Sequence, residues 1–127
     1  FVWLVGQTRY ALGAYSWEIP EGGCPAHENL EDCAHRELLE ETGLTAAQLT
    51  PLFEMHLSNS VTDEWGIVYL AQGLTQGISA PEATEDISVK KVTIEQFYQD
   101  VESGNITDSL SVAACYKLML MQQLGEL

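Results

Sequence analysis

Hydrophobic and polar positions follow two periods along this chain, one typical of strands and one typical of helices. Short apolar runs predict strands over Phe1 to Val5, Trp17 to Ile19, Leu52 to Leu57, Gly66 to Leu74 and Ile87 to Val92. Apolar positions that recur every three or four residues predict helices over Leu30 to Glu41, over Ile94 to Glu102, and from Thr107 or Asp108 to about Gln123. This mixture predicts an α/β fold.

The polar and glycine-rich stretches between these elements are predicted to be connections. GQTRYALGAYS is expected to form a long connection between the first two strands, and Ala46 to Thr50 a short one that ends at Pro51. SNSVTDEWG is a polar loop of the kind that can reach a binding site. QGISAPEATEDISV is an acidic loop that leads into the last strand.

Three acidic residues of the first predicted helix face the same way. Glu37, Glu40 and Glu41 stand at positions i, i+3 and i+4, so their side chains project within one arc. Like charges at this spacing repel by a few tenths of a kcal/mol per pair, and a divalent cation would offset that repulsion. Carboxylate oxygens are hard ligands that suit Mg²⁺, with Mn²⁺ as a possible substitute.

The run RELLEE alone favours a solvated helix face, with an exposed Arg36–Glu40 pair worth about 0.3 to 0.5 kcal/mol. A longer pattern, G-x5-E-x7-R-E-U-x-E-E-x-G-U with U a bulky aliphatic residue, favours the metal site. It is matched by Gly22, Glu28, Arg36, Glu37, Leu38, Glu40, Glu41, Gly43 and Leu44. This pattern resembles the Nudix box, and nine specified positions make it far more specific than a lone glycine-rich loop.

The resemblance implies a Nudix α/β/α sandwich with a mixed β-sheet, in which the box helix carries the metal site. Residues 1–127 would form a single Nudix hydrolase domain. Because FVWLV at the start of the chain is already strand-like, we expect this domain to lack its N-terminal strands. Family members hydrolyse nucleoside diphosphates linked to another moiety, with Mg²⁺ or Mn²⁺ held by the box helix.

The resemblance also assigns the metal ligands. By position these are Glu37, Glu40 and Glu41, together with the main-chain carbonyl of Glu21 in the segment SWEIPEGG. Many relatives carry a small residue at the position of Glu21, so its side chain departs from the pattern. Supporting roles fall to the pair formed by Glu28 and Arg36, which would orient the ligands, and to the two turn glycines Gly22 and Gly43.

Two residues ahead of the box are candidates for substrate binding. Arg9 lies in a Q-x-R-Y segment similar to one that brings an arginine to the substrate phosphates in Nudix enzymes of the ADP-ribose and nucleotide-sugar branch. A guanidinium fork suits phosphate, although a surface arginine is the alternative. Trp17 is a candidate for stacking on a base, and a place in the core is the interpretation that we favour.

The acidic loop before the last strand resembles the loop that supplies the catalytic base in the same branch. Glu85 falls where a glutamate would activate the attacking water, and Glu82 is the alternative because a loop alignment can slip by three residues. Glu41 completes the predicted catalytic set because it holds the cation that lowers the pKa of that water. The phrase ESGNITDSLSVAACYKLML also resembles the C-terminal helix of this branch.

Composition and charge limit the classes of partner that the chain can bind. The formal charge of −14, with five Lys and Arg in 127 residues, excludes binding to the phosphate backbone of nucleic acids as a main activity. No uninterrupted run of 18 apolar residues and no basic-then-apolar leader is present, which predicts neither a membrane span nor secretion. Cys24, Cys33 and Cys115 fit neither a zinc motif nor a disulfide framework, so we predict reduced thiols in a cytoplasmic protein.

These observations predict Mg²⁺-dependent hydrolysis of a nucleoside diphosphate sugar, either ADP-ribose or a nucleotide sugar such as GDP-mannose. The products would be a nucleoside monophosphate and a sugar phosphate. The resemblance further implies a homodimer. The alternatives are a non-catalytic Nudix-fold sensor of a nucleotide metabolite, and a Nudix hydrolase of dinucleoside polyphosphates or oxidised nucleoside triphosphates.

Overall fold

The computed structural model describes residues 1–77 and 87–127, which contain five strands and three helices. The strands are β1 (Val2–Arg9), β2 (Ala14–Glu18), β3 (Leu44–His56), β4 (Trp65–Gln76) and β5 (Ser88–Val92). The helices are α1 (Leu30–Thr42), α2 (Ile94–Glu102) and α3 (Ser109–Gln123). The predicted α/β class is confirmed.

The strands form two sheets. One has the order β2-β1-β5 and the other pairs β3 with β4. Every pair within residues 1–77 and 87–127 is antiparallel, so this part of the chain lacks the parallel pairing that a mixed sheet requires. Two of the three pairs, β1 with β2 and β3 with β4, join strands that follow one another in the chain, and a short connection between such strands favours antiparallel pairing.

The prediction of a long connection after Val5 is wrong. β1 continues to Arg9, β2 begins at Ala14, and Arg9 pairs with Ala14 across a tight turn. Gly13 takes φ 69° in this turn and donates its N–H to the Arg9 carbonyl oxygen at 2.9 Å. Polar residues therefore extend both strands of a hairpin, because one face of an antiparallel pair tolerates them.

The prediction of a short connection over Ala46 to Thr50 is also wrong, because β3 runs without a break from Leu44 to His56. Proline removes a donor from a β-ladder, which is why Pro51 suggested a boundary. The register between β3 and β4 shifts between Pro51 and Phe53, and such irregularities are places where a strand accommodates proline.

The buried core lies between the β2-β1-β5 sheet and the two C-terminal helices. Its buried members are contributed by β1, α2, the turn after α2, and α3: Leu4, Phe97, Val101, Ile106 and Cys115. α2 begins at the Thr93 cap, whose hydroxyl accepts the Gln96 N–H. Among the described residues, no helix combines the length and the apolar character needed to cross a bilayer.

Candidate functional site

The ends of α1 are fixed by its flanking residues. The Asn29 side chain accepts the N–H groups of Glu31 and Asp32 at 2.9 and 3.2 Å, and Gly43 closes the helix at φ 76°. The last turn of α1 contains no basic residue, although Glu40 and Glu41 lie there. Carboxylates at a helix C-terminus are disfavoured by the helix dipole, so this end of α1 favours a bound cation.

Arg36 connects the loop before α1 with the acids of the helix. Its Nε and Nη2 donate to the two carboxylate oxygens of Glu28 at 3.2 and 3.0 Å, and its Nη1 donates to Glu37 at 3.0 Å. Nη1 also lies 3.4 Å from Glu40 Oε2. The hydrogen bonds from Arg36 lower the pKa of Glu28. One guanidinium thus sets the positions of three carboxylates.

Gly22 lies directly against the Glu37 side chain. A Cβ atom built on Gly22 would overlap the Cγ, Cδ and Oε2 atoms of Glu37. The neighbouring Gly23 has open space at the same position. The box pattern therefore has a glycine at the point where the backbone must approach a predicted metal ligand.

Glu41 is bound to the backbone of the preceding loop. Its Oε1 accepts the N–H of Glu21 at 2.9 Å, which brings the loop segment and the helix together. Burial raises the pKa of Glu41 to about 7; the Glu21 N–H opposes this rise and the nearby Glu37 adds to it. A cation at Glu41 would have to displace a proton near neutral pH.

A second carboxylate group lies beside this contact. Glu18, Glu21 and Asp108 each offer an oxygen within 4.8 Å of the others. Burial raises the pKa of Glu21 to about 9, and contact with Asp108 adds to the rise. Glu21 Oε2 is buried with no donor among the described residues, which fits a protonated carboxyl facing the Asp108 carboxylate. The side chain that departs from the box pattern is therefore half-buried beside the residue that caps α3.

Arg9 is held by Glu18. Its Nε and Nη2 donate to the two Glu18 oxygens at 3.0 and 2.6 Å, and Glu18 is only 3% exposed. The hydrogen bonds that Arg9 donates to Glu18 raise the pKa of Arg9. The Arg9 side chain keeps 44% of its surface exposed, so the guanidinium is fixed in orientation without being enclosed.

Sequence reasoning missed the residues that attach α3 to this segment. Ser111 is fully buried; its Oγ accepts the Ile19 N–H at 2.9 Å and donates to Asp108 Oδ2 at 2.7 Å. Asp108 caps α3 by accepting the Ser111 N–H at 3.1 Å. Burial would raise the pKa of Asp108, but its hydrogen bonds with Glu21 and Ser111 outweigh burial and lower it. The D-x-x-S spacing signals a helix cap; no local pattern signals the contact with Ile19.

Trp17 lies apart from the acidic residues. Successive residues of a strand face opposite sides of the sheet, and Trp17 packs against the core cluster while Glu18 faces Arg9. The Lys90 ammonium lies 4.0 Å from the centre of a Trp17 ring. A position in the core accounts for these contacts, and a stacking role for Trp17 stays a prediction.

The donor set fits a hard divalent cation. Glu37, Glu40 and Glu41 lie on one helix, and Glu41 is bonded to the segment whose carbonyl is the fourth predicted ligand. Their carboxylate oxygens do not form a mutual cluster within 4.8 Å in the described structure, because Arg36 holds Glu37 and Glu40. Glu82 and Glu85, the predicted bases, lie outside the described residues.

Comparisons with known proteins agree with this geometry. The NUDIX domain profile matches residues 2–110. The chain is 36% identical over 123 residues to an ADP-ribose pyrophosphatase of Bacillus subtilis, covering 95% of this chain and 66% of that protein. It is 33% identical over 121 residues to the protein of the same name from Escherichia coli K12, covering 92% and 56%.

Two further similarities extend the comparison. A methanol dehydrogenase activator of Bacillus methanolicus is 32% identical over 123 residues, covering 95% of this chain and 66% of that protein. A crystal structure of an ADP compounds hydrolase superimposes with a TM-score of 0.85 at 19% identity, covering 98% of this chain and 68% of that one. The chain thus spans between 56% and 66% of the length of these sequence relatives.

Proposed function

Because the chain belongs to the NUDIX domain family, we propose that it hydrolyses the pyrophosphate bond of a nucleoside diphosphate sugar. ADP-ribose is the first candidate substrate, since relatives at 33% and 36% identity are named ADP-ribose pyrophosphatases. GDP-mannose and other nucleotide sugars are the next candidate substrates. The products are a nucleoside monophosphate and a sugar phosphate.

The observation that carries this proposal is the contact between the loop and the box helix. Glu21 N–H binds Glu41 at 2.9 Å, and Gly22 lies against Glu37, so a backbone segment and two carboxylates approach one another from separate elements. A binding protein that does not use a cation has no need of this arrangement, because it concentrates negative charge where an anionic ligand would enter.

Glu37, Glu40, Glu41 and the Glu21 carbonyl would hold Mg²⁺, with Mn²⁺ as a substitute. When bound, the ion supplies charge neutralisation for the linked phosphates and lowers the pKa of the attacking water. Arg36 holds Glu37 and Glu40 near the loop before the ion arrives. The pKa of about 7 for Glu41 makes cation uptake depend on pH, with weaker uptake in acid.

Arg9 would bind a substrate phosphate through the exposed part of its guanidinium. Glu18 fixes the plane of that group through two hydrogen bonds, which reduces the entropy lost on binding. This role is separable from the cation site because Arg9 contacts Glu18 and none of the predicted ligands through a hydrogen bond among the described residues.

Glu85 would act as the general base, with Glu82 as the alternative. A general base contributes about 10² to 10⁴ in rate. Replacing Glu85 by Gln should therefore lower kcat by this factor while leaving cation binding unchanged. The same loss in Glu82→Gln, with Glu85→Gln fully active, would reassign the base.

A homodimer remains part of the proposal, on the family resemblance alone. Sedimentation velocity at several protein concentrations tests it. A species of twice the chain mass supports the dimer, and a monomer at every concentration contradicts it.

The activity is tested by incubating the protein with Mg²⁺ and ADP-ribose, GDP-mannose or a dinucleoside polyphosphate, and identifying products by ³¹P NMR. Glu41→Gln is the test variant. Glu95→Gln, an exposed acid in the first turn of α2, is the matched control. We expect a nucleoside monophosphate and a sugar phosphate from wild type and control only. Tight binding of a nucleotide sugar without turnover in any protein would instead support the sensor.

A further inference from the structure

A second group of donor atoms lies where the loop before α1 meets the first turns of the helix. Cys24, Glu28 and Cys33 each offer a ligand atom within 4.8 Å of the others. Cys33 is buried and Cys24 is partly exposed, so the group is open to solvent on one side. We propose that these three side chains bind a thiophilic divalent cation such as Zn²⁺ or Cd²⁺.

The separation of Cys33 Sγ and Glu28 Oε1 suits a tetrahedral ion. Zinc bonds of about 2.3 Å to sulfur and 2.0 Å to oxygen place the two donor atoms about 3.5 Å apart. Cys33 Sγ and Glu28 Oε1 are separated by 3.4 Å. The second sulfur, Cys24 Sγ, lies 3.6 Å from the Glu28 carbonyl oxygen, so it belongs to the same turn of chain. A water molecule can take the fourth position.

The ligand chemistry separates this group from the carboxylates of α1. Two sulfur donors favour Zn²⁺ and Cd²⁺ over Mg²⁺, which prefers oxygen. In the absence of an ion, burial raises the pKa of Cys33 to about 12, and Cys24 and Glu28 add to the rise. An ion would therefore bind by displacing thiol protons.

Arg36 lies beside this group and supplies a positive charge that helps to balance its anionic ligands. Its Nη2 is 3.2 Å from Cys33 Sγ and 3.0 Å from Glu28 Oε1, while its Nε holds Glu28 Oε2 at 3.2 Å. If the ion takes Oε1, Arg36 keeps its bonds to Oε2 and to the sulfur. Two thiolates and one carboxylate then balance a dication and one guanidinium, and an N–H donor to a coordinated sulfur stabilises the thiolate.

A filled site would link the loop to the helix at a second point. Gly23 lies between Cys24 and Gly22, and its carbonyl oxygen is 3.4 Å from Cys33 Sγ. Because Arg36 also contacts Glu37 and Glu40, the thiophilic ion and the cation of the box helix would share a partner. Binding at one site should therefore alter the affinity of the other.

The test is a Cd²⁺ titration of the metal-free 127-residue chain, kept reduced with a phosphine and followed by the ultraviolet absorption of cadmium thiolates. We expect one equivalent to bind to wild type. In Cys24→Ser the affinity should fall by at least about the 10- to 100-fold that loss of a supporting partner costs a metal site. Cys115→Ala, which removes the third thiol, is the matched control and should titrate like wild type.

A second measurement uses the unsubstituted chain. Alkylation of Cys24 by iodoacetamide, mapped by mass spectrometry, should slow when one equivalent of Zn²⁺ is present, and Mg²⁺ should not protect it. Equal cadmium titrations of wild type and Cys24→Ser, or a Cys24 alkylation rate unaffected by Zn²⁺, would overturn the proposal. Both readouts are independent of pyrophosphate hydrolysis.

Discussion

Gly22 shows how one missing carbon atom shapes the candidate metal site. Because its hydrogen faces the Glu37 carboxylate, the loop and the helix can approach more closely than any side chain would allow. Gly22→Ala should destabilise the fold by about 1 to 3 kcal/mol, the usual result of overpacking, and should weaken Mg²⁺ binding by displacing Glu37.

Gly23→Ala is the control for this change. The neighbouring position has open space for a Cβ, and neither glycine has a positive φ. Urea unfolding and Mg²⁺ titration should show the Gly23 variant close to wild type. Equal losses of stability and of Mg²⁺ affinity in the two variants would mean that backbone freedom, and not the contact with Glu37, is the reason why position 22 is a glycine.

Arg9 and Glu18 form the shortest ion pair among the described residues. Arg9→Ala would leave the buried Glu18 carboxylate without its partner, at a cost of about 1 to 3 kcal/mol or more. Arg9→Gln in a Glu18→Gln background should recover part of that stability, because no buried charge remains. A double-mutant cycle by thermal unfolding measures the coupling, and additive losses would show that the pair contributes nothing.

At the scale of elements, α3 is attached through Ser111 to the segment that we propose binds the cation. Ser111→Ala removes the acceptor of the Ile19 N–H and should cost about 1 to 3 kcal/mol. Displacement of residues 19–22 should also reduce kcat more than it changes KM, because this segment bears the predicted cation ligand Glu21. Ser109→Ala, at an exposed position of the same helix, is the control. Unchanged kcat in a destabilised Ser111→Ala protein would show that the contact serves stability alone.

The elements differ in how well their sequences predict them. α2 was predicted over Ile94 to Glu102, and those are its bounds, because its cap and apolar spacing are local signals. β1 and β3 run further than predicted. Gln7 and Arg9 are polar, so local patterns end β1 too early, and Pro51 suggests a boundary, so they begin β3 too late. Pairing with β2 and β4 extends them, and that pairing is a tertiary effect.

The site was predictable to the extent that it lies on one helix. The caps Asn29 and Gly43 and the arc of Glu37, Glu40 and Glu41 follow from helical geometry. Contacts between distant segments do not: Ser111 and Ile19 are separated by 92 positions, and the Glu18, Glu21 and Asp108 group joins a strand end, a loop and a helix cap. Such contacts depend on how elements pack.

At the scale of the whole molecule, two half-buried carboxyl groups make the stability of the metal-free protein depend on pH. The pKa of Glu41 is raised to about 7 and that of Glu21 to about 9, from an ordinary value of 4.5. The folded state therefore holds more protons than the unfolded state above pH 4.5. The two groups therefore contribute to the free energy of unfolding in acid, and this contribution is lost as the pH rises through 7 and 9.

Urea unfolding of the metal-free chain at pH 5, 7 and 9 checks this dependence. The free energy of unfolding should fall over that range, and Glu21→Gln should flatten the fall between pH 7 and 9. The net charge of −14 contributes a fall of the same sign, so the difference between the two proteins is the diagnostic quantity. Parallel curves would contradict the raised pKa of Glu21.

The central claim is that the acids of α1 and the Glu21 segment bind a hard divalent cation that hydrolysis requires. Isothermal calorimetry of Mg²⁺ or Mn²⁺ uptake, with and without ADP-ribose, measures it most directly. We predict uptake by wild type that strengthens when ADP-ribose is present and is lost in Glu41→Gln. Absence of Mg²⁺ and Mn²⁺ uptake by the wild-type chain, even with ADP-ribose, would contradict the account.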